Sequence, residues 1–189
     1  MSTASLAQSA TSRSTASLDH SNNNARDDDN SLSARKDGAD GSRPEFQWVK
    51  ATDRYIPPKA VQGGIEKTGE PLYIARAFFH GGLHPGKAGK HLSKGFSMSF
   101  DSKEINLSEY YVLCGNASRL RWVEQNGPVV IGDFTPVPGG HESGGETVRS
   151  IYNGSQQIGK CASHLKKGMV FGYGGKEKNE GTYNILAYV

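Results

Sequence analysis

Gly63-Gly64-Ile65-Glu66-Lys67-Thr68-Gly69-Glu70 returns 76 residues later as Gly139-Gly140-His141-Glu142-Ser143-Gly144-Gly145-Glu146. Working outward, Trp48-Val49 is answered by Trp122-Val123 upstream of each motif. Downstream the spacing tightens to 73 residues and holds there. Arg76 pairs with Arg149, Gly86-Lys87 with Gly159-Lys160, and His91-Leu92 with His164-Leu165. Lys94-Gly95 pairs with Lys167-Gly168, Lys103-Glu104 with Lys176-Glu177, and Tyr110 with Tyr183. Matches this numerous in one register identify a tandem repeat, the first thing to settle in a fold assignment. The change of spacing places a deletion in the second copy around Thr147-Val148-Arg149.

Within each copy, apolar residues come in short alternating bursts separated by Gly, Pro and Asn: PLYIARAFF, FSMSF, LRWV, MVFGY, YNILAYV. No helical stripe of useful length occurs, so the pattern predicts an all-β fold of short strands. One copy alone is small for a stable core. The expectation is therefore two tandem, pseudo-symmetric β-rich repeats packed together, with strand exchange as one way of sharing a core. The first repeat spans 45–115 and the second 116–189, with Asn116-Ala117-Ser118 as the joint. Residues 1–44 contain no aromatic residue and three isolated Leu. Such a segment cannot bury enough apolar surface to offset its ordering entropy, and the reading is a disordered tail.

Composition narrows the function classes. A net charge of +3 without a basic run gives nucleic acid no electrostatic footprint. The N-terminus lacks the apolar core of an export signal, and no stretch approaches a membrane-spanning run. The sequence expectation is a cytoplasmic protein, with non-classical release as the route outside. Cys114 and Cys161 read as free, half-buried thiols rather than a disulfide framework. Calcium-loop, His-x-x-x-His and Cys-x-x-Cys patterns are missing, and so are nucleotide-binding glycine loops, so neither metal nor cofactor is expected.

The matched positions resemble a known family. The run Trp48, Ile56-Pro57, Ala60-Val61, Gly64, Glu66, Gly69, Pro71-Leu72-Tyr73-Ile74-Ala75-Arg76-Ala77, then Pro85-Gly86-Lys87, Lys103-Glu104 and Tyr110 with Val112-Leu113, resembles the DM9 (DM-nine) repeat. That family includes insect proteins with many copies, mollusc lectins and repeats beside fish natterin toxins. The resemblance implies an all-β fold of paired repeats. It also implies calcium-independent recognition of mannose-containing glycans by a homodimer. An acidic residue after the Gly-rich turn and the Lys of Pro-Gly-Lys would hold the sugar: Glu66 with Lys87 in the first repeat, Glu142 with Lys160 in the second. The second copy departs further from the pattern, having Ile158-Gly159-Lys160, and the first pair is the stronger candidate.

The chemistry is consistent with that reading. A carboxylate accepts from neighbouring sugar hydroxyls while an ammonium donates to their lone pairs, and charged partners make the stronger bonds. One such contact is weak in water, but several on one assembly add avidity. The competing explanation is an ordinary exposed ion pair, contributing about 0–1 kcal/mol. Arg76 and Arg149 are read as structural, pairing with Glu104 and Glu177 through guanidinium forks. His91 and His164 read as half-buried and backbone-bonded, and Trp48 and Trp122 as core. An enzyme is the least favoured class. No nucleophile motif is present, and nothing sets two carboxylates across a glycosidic bond. The main alternative to a lectin is an intracellular interaction or scaffold module without sugar binding.

Overall fold

The computed structural model describes residues 45–142, 145–151 and 156–189, with the backbone course alone for 145–151. The tail assigned to residues 1–44 lies outside the described residues, as does the side chain of Arg149.

The first repeat supplies β1 (Phe46–Thr52), β2 (Gln62–Ile65), β3 (Pro71–Phe79), β4 (Gly82–Ala88), β5 (Phe96–Phe100), β6 (Lys103–Leu107) and β7 (Glu109–Gly115). A single 3-10 turn at Ala117–Arg119 follows, capped by the Asn116 side chain, which accepts from the Ser118 N–H at 3.1 Å. The second repeat supplies β8 (Leu120–Asn126), β9 (Pro138–Glu142), β10 (Gly145–Ile151), β11 (Ile158–Cys161), β12 (Met169–Tyr173), β13 (Lys176–Glu180) and β14 (Thr182–Tyr188).

The sheet order is β1-β7-β3-β4-β5-β6-β13-β12-β11-β10-β14-β8. Its second half is the first half reversed, each strand replaced by its counterpart. The pseudo-twofold passes between β6 and β13, where Lys103 faces its own equivalent Lys176. The flanking bonds obey the same symmetry: Glu104 N–H donates to Gly175 C=O, and Glu177 N–H to Ser102 C=O. The repeats are therefore pseudo-symmetric and packed together, each keeping its own set of paired strands. The one strand that pairs with both is β9, which lies on β10 and also meets β4 at Leu83 and His141.

The core explains why one copy does not suffice. Ala75, Ala77, Phe96, Met98, Tyr110 and Val112 form a cluster within the first repeat. Cys161, Met169, Phe171, Tyr183 and Ile185 form its equivalent within the second. A third cluster draws on both, with Leu72, Ile74 and Leu113 packed against Val137, Ile158 and Leu186. Trp48 and Trp122 lie at its margin, half-buried, as the apolar strand positions predicted. Tyr110 and Tyr183 anchor the two copies identically, donating their hydroxyls to the carbonyls of Asp53 (2.7 Å) and Gly127 (3.0 Å).

Two features carry this packing into the site. Strand β4 is buried along its whole length, Lys87 included, because neighbouring strands and the other repeat enclose it. The Gly-rich motif meets the other copy by backbone. A Cβ on Gly64 would fall 1.8 Å from the Gln156 carbonyl oxygen, and one on Gly140 would fall 1.9 Å from that of Leu83. Only glycine permits that approach. It sets the acidic residue two positions later at the repeat boundary.

Candidate functional site

The first candidate site assembles around Lys87 on β4. Its side chain is 2 % exposed, and Glu66, just past the end of β2, lies above it at 12 %. The Lys87 ammonium is 3.3 Å from Glu66 Oε1 and donates to Gln157 Oε1 at 2.5 Å. Gln157 is itself fully buried and closes the ring by donating from Nε2 to Glu66 Oε2 at 2.8 Å. Glu104 Oε1 stands 4.0 Å from the same ammonium. The Tyr173 ring centroid lies 5.4 Å from Lys87 Nζ, within cation–π range.

The second site repeats the plan on β9 and β11. Lys160, 6 % exposed, donates to Glu142 Oε2 at 2.6 Å, and Glu142 is 13 % exposed. His164 Nε2 bonds the other carboxylate oxygen at 3.0 Å. The first repeat contributes His84, which is 1 % exposed and holds Nδ1 3.2 Å from Glu142 Oε2. Burial alone would push the Glu142 carboxyl up. The contacts of His84, Lys160 and His164 outweigh it and bring the pKa down to about 2.

The four residues expected to hold a ligand thus come together as two Glu–Lys pairs, and these are not ordinary exposed ion pairs. Lysine is almost never this buried unless paired. The expected Arg–Glu forks need correction. Arg76 stacks on Trp48, its guanidinium carbon 4.2 Å from the ring centroid. Glu104 is held instead by the Ser97 hydroxyl at 2.6 Å and the Gly175 N–H at 2.7 Å, which turns it toward Lys87. The Arg149–Glu177 pairing rests on a side chain outside the described residues. The histidines also differ from expectation, facing carboxylates rather than backbone: His164 bonds Glu142, and His91 Nε2 lies 4.0 Å from Glu66 Oε1.

Sequence reasoning missed the residues that cross the repeat boundary. Gln157 and Tyr173 complete the first site, and His84 the second, with Phe100 edge-on to the His84 ring at 5.2 Å. His84 and Gln157 are 73 residues apart, as are Phe100 and Tyr173. Their register was available, but matching by identity passed over them. Cys114 and Cys161 are free and buried, and burial raises the Cys114 thiol above its ordinary value. Among the described residues no cluster of His, Cys, Asp or Glu is placed to hold a metal ion. Nor is any helix there long and apolar enough to cross a membrane.

The DM9 repeat family model matches residues 41–107 and 73–180, two overlapping segments that together cover most of the chain. The chain belongs to the DM9 repeat family. As a DM9 protein it shares its fold with a solved structure, the nematode sperm cell motility protein MFP2B, at a TM-score of 0.52 and 16% identity. The alignment covers 76% of this chain and 45% of that one, so this DM9 pair spans under half the length of its structural neighbour. No curated protein matches the chain.

Proposed function

We propose that this DM9 pair is a carbohydrate-binding protein, not an enzyme, with one Glu–Lys site per repeat. The sites would be Glu66 with Lys87 and Glu142 with Lys160, and the ligands mannose-type glycans recognised without calcium. The observation that carries the reading is the recurrence of one arrangement, a carboxylate at the surface over a buried ammonium, at both symmetry-related positions. Burying an ion pair rarely stabilises a fold more than apolar packing would. Keeping it twice points to use of the charges. A partly exposed carboxylate retains lone pairs for a pair of sugar hydroxyls, and the ammonium beneath fixes its orientation. Two sites per chain, doubled in a homodimer, suit a recognition or agglutination role through avidity.

A glycan array probed with the purified protein, with and without chelator, tests this. Binding to mannose-rich glycans should survive chelation, fall partially in Glu66→Ala or Glu142→Ala, and vanish in the double variant. Silence across a broad array ends the reading. The second reading is a protein-interaction module without sugar binding. The fold shared with a sperm cell motility protein supports it. Capture of a defined protein partner that survives the double variant, together with a silent array, would favour it.

A further inference from the structure

The two sites are built alike and completed unlike. Gln157 and His84 occupy the same position of the repeat, 73 residues apart, and each reaches the acidic residue of the other copy. Gln157 is satisfied on both atoms, accepting from Lys87 and donating to Glu66. His84 is not. Its Nε2 lies 3.1 Å from the Phe79 carbonyl, which only accepts, so Nε2 carries the hydrogen. In the neutral ring Nδ1 is then bare. It has no hydrogen-bond partner, although it stands 3.2 Å from Glu142 Oε2. A second proton would turn a lone pair facing a carboxylate into a donor beside it.

We propose that this position determines how each site answers to pH: His84 is a positioning residue that engages Glu142 when protonated and withdraws it from ligand, while Gln157 holds Glu66 in one state. The ligand half of this rests on the carbohydrate reading; the coupling of His84 to Glu142 does not.

The expected size follows from counting acceptor sites. An ionised carboxylate offers roughly four. Glu142 gives one to Lys160 and one to His164, leaving two for a pair of hydroxyls. A protonated His84, after a small turn of the carboxylate, takes a third. Losing one hydrogen bond to a charged group corresponds to on the order of tenfold in affinity or more. Glu66 gives one site to Lys87 and one to Gln157, and an amide does not titrate in this range. Glu142 itself stays ionised throughout, its carboxyl held at about 2 by contacts that outweigh its burial.

Other charged groups face this cluster. Lys160 approaches from β11 and His164 from the loop after it, while His141 precedes Glu142 on β9. His80 lies 5.5 Å from the Phe100 ring that abuts His84. His91 faces Glu66 in the first site as His164 faces Glu142 in the second, so both sites share that titration. Position 84/157 is the difference between them.

The test uses the full chain with side-chain carboxyl 13C NMR, in which Glu66 and Glu142 each report on their own site. Without ligand, between about pH 5 and 8, where imidazoles titrate, the Glu142 signal should step with the His84 ring. The step should be lost in His84→Gln. Methyl mannoside titrated at each pH should show Glu142-site affinity falling about tenfold on acidification, and Glu66-site affinity falling less. Gln157→His should confer the steeper dependence on the first site. A Glu142 signal that does not follow the His84 ring in the wild-type chain overturns the proposal, and that measurement needs no variant to fold. So does a His84→Gln chain that keeps the full pH dependence. If the Glu142 step is present and no mannoside binds at any pH, the coupling stands and the carbohydrate reading falls.

Discussion

Replacing Glu142 by Gln removes a charge and leaves the shape. The folded-state carboxyl is held at about 2 against an ordinary value of 4.5. At 1.36 kcal/mol per unit, that difference represents roughly 3 kcal/mol of stability in the ionised form. A second argument gives the same scale. Lys160, 6 % exposed, loses its carboxylate partner in the variant, and breaking a buried pair from one side costs about 3–5 kcal/mol. Gln keeps one acceptor oxygen for Lys160, so the lower end is expected, about 3 kcal/mol at neutral pH. The pH dependence has a defined sign. A depressed carboxyl contributes fully above its unfolded value, and the contribution drains away as pH falls through the folded one. The gap between wild type and Glu142→Gln should therefore be constant from pH 7 to about 5, shrink below about 4.5, and largely close near pH 2. Urea unfolding of both chains at matched pH values measures it. A gap that stays level through the acid range, or lies below about 1 kcal/mol at neutral pH, would refute the argument that these contacts outweigh burial.

Other substitutions probe how the repeats are joined. Ile158→Ala, in the cluster shared by both copies, should cost about 2–5 kcal/mol and leave one cooperative calorimetric transition, since neither copy closes that core alone. Two resolved transitions would contradict the shared core. Gly64→Ala sets a methyl on the Gln156 carbonyl and should destabilise by at least about 1–3 kcal/mol, read by thermal unfolding. Tyr110 is buried, which pushes its phenol up to about 12 with a smaller push from the Asp53 charge. Ultraviolet titration should find it un-ionised at pH 11. A raised phenol contributes below its unfolded value of about 10 and loses that contribution as pH rises toward about 12. Tyr110→Phe should therefore be less alkali-sensitive, while costing about 1–3 kcal/mol at neutral pH by leaving the Asp53 and Tyr55 carbonyls short of a donor.

Much of the fold is legible in the sequence because strand periodicity and repetition are local properties of a chain. The Gly-Gly-x-Glu motif, the Gly-Lys dipeptides and the tyrosines at 110 and 183 keep one register, and each recurs in the same place of its repeat. The pairing of Glu66 with Lys87 and of Glu142 with Lys160 could be anticipated, since each pair lies inside one copy. The partners of Arg76 and Glu104 could not. Spacing allows a fork between them, but packing gives Arg76 the face of Trp48 and gives Glu104 to Ser97 and Gly175. The counterpart of Ser97 is Val170, so the second copy has no such hydroxyl at that position.

The sequence by itself determined that there are two β-rich copies, and which Glu and Lys recur in each. Only the tertiary structure decided that each site is finished by the other copy, with Gln157 reaching Glu66 and His84 reaching Glu142. The physical reason is the glycine pair that opens each motif. It lets the backbone of one repeat press on the other, and residues 91 and 58 positions apart in the chain become neighbours across a boundary that no local pattern encodes.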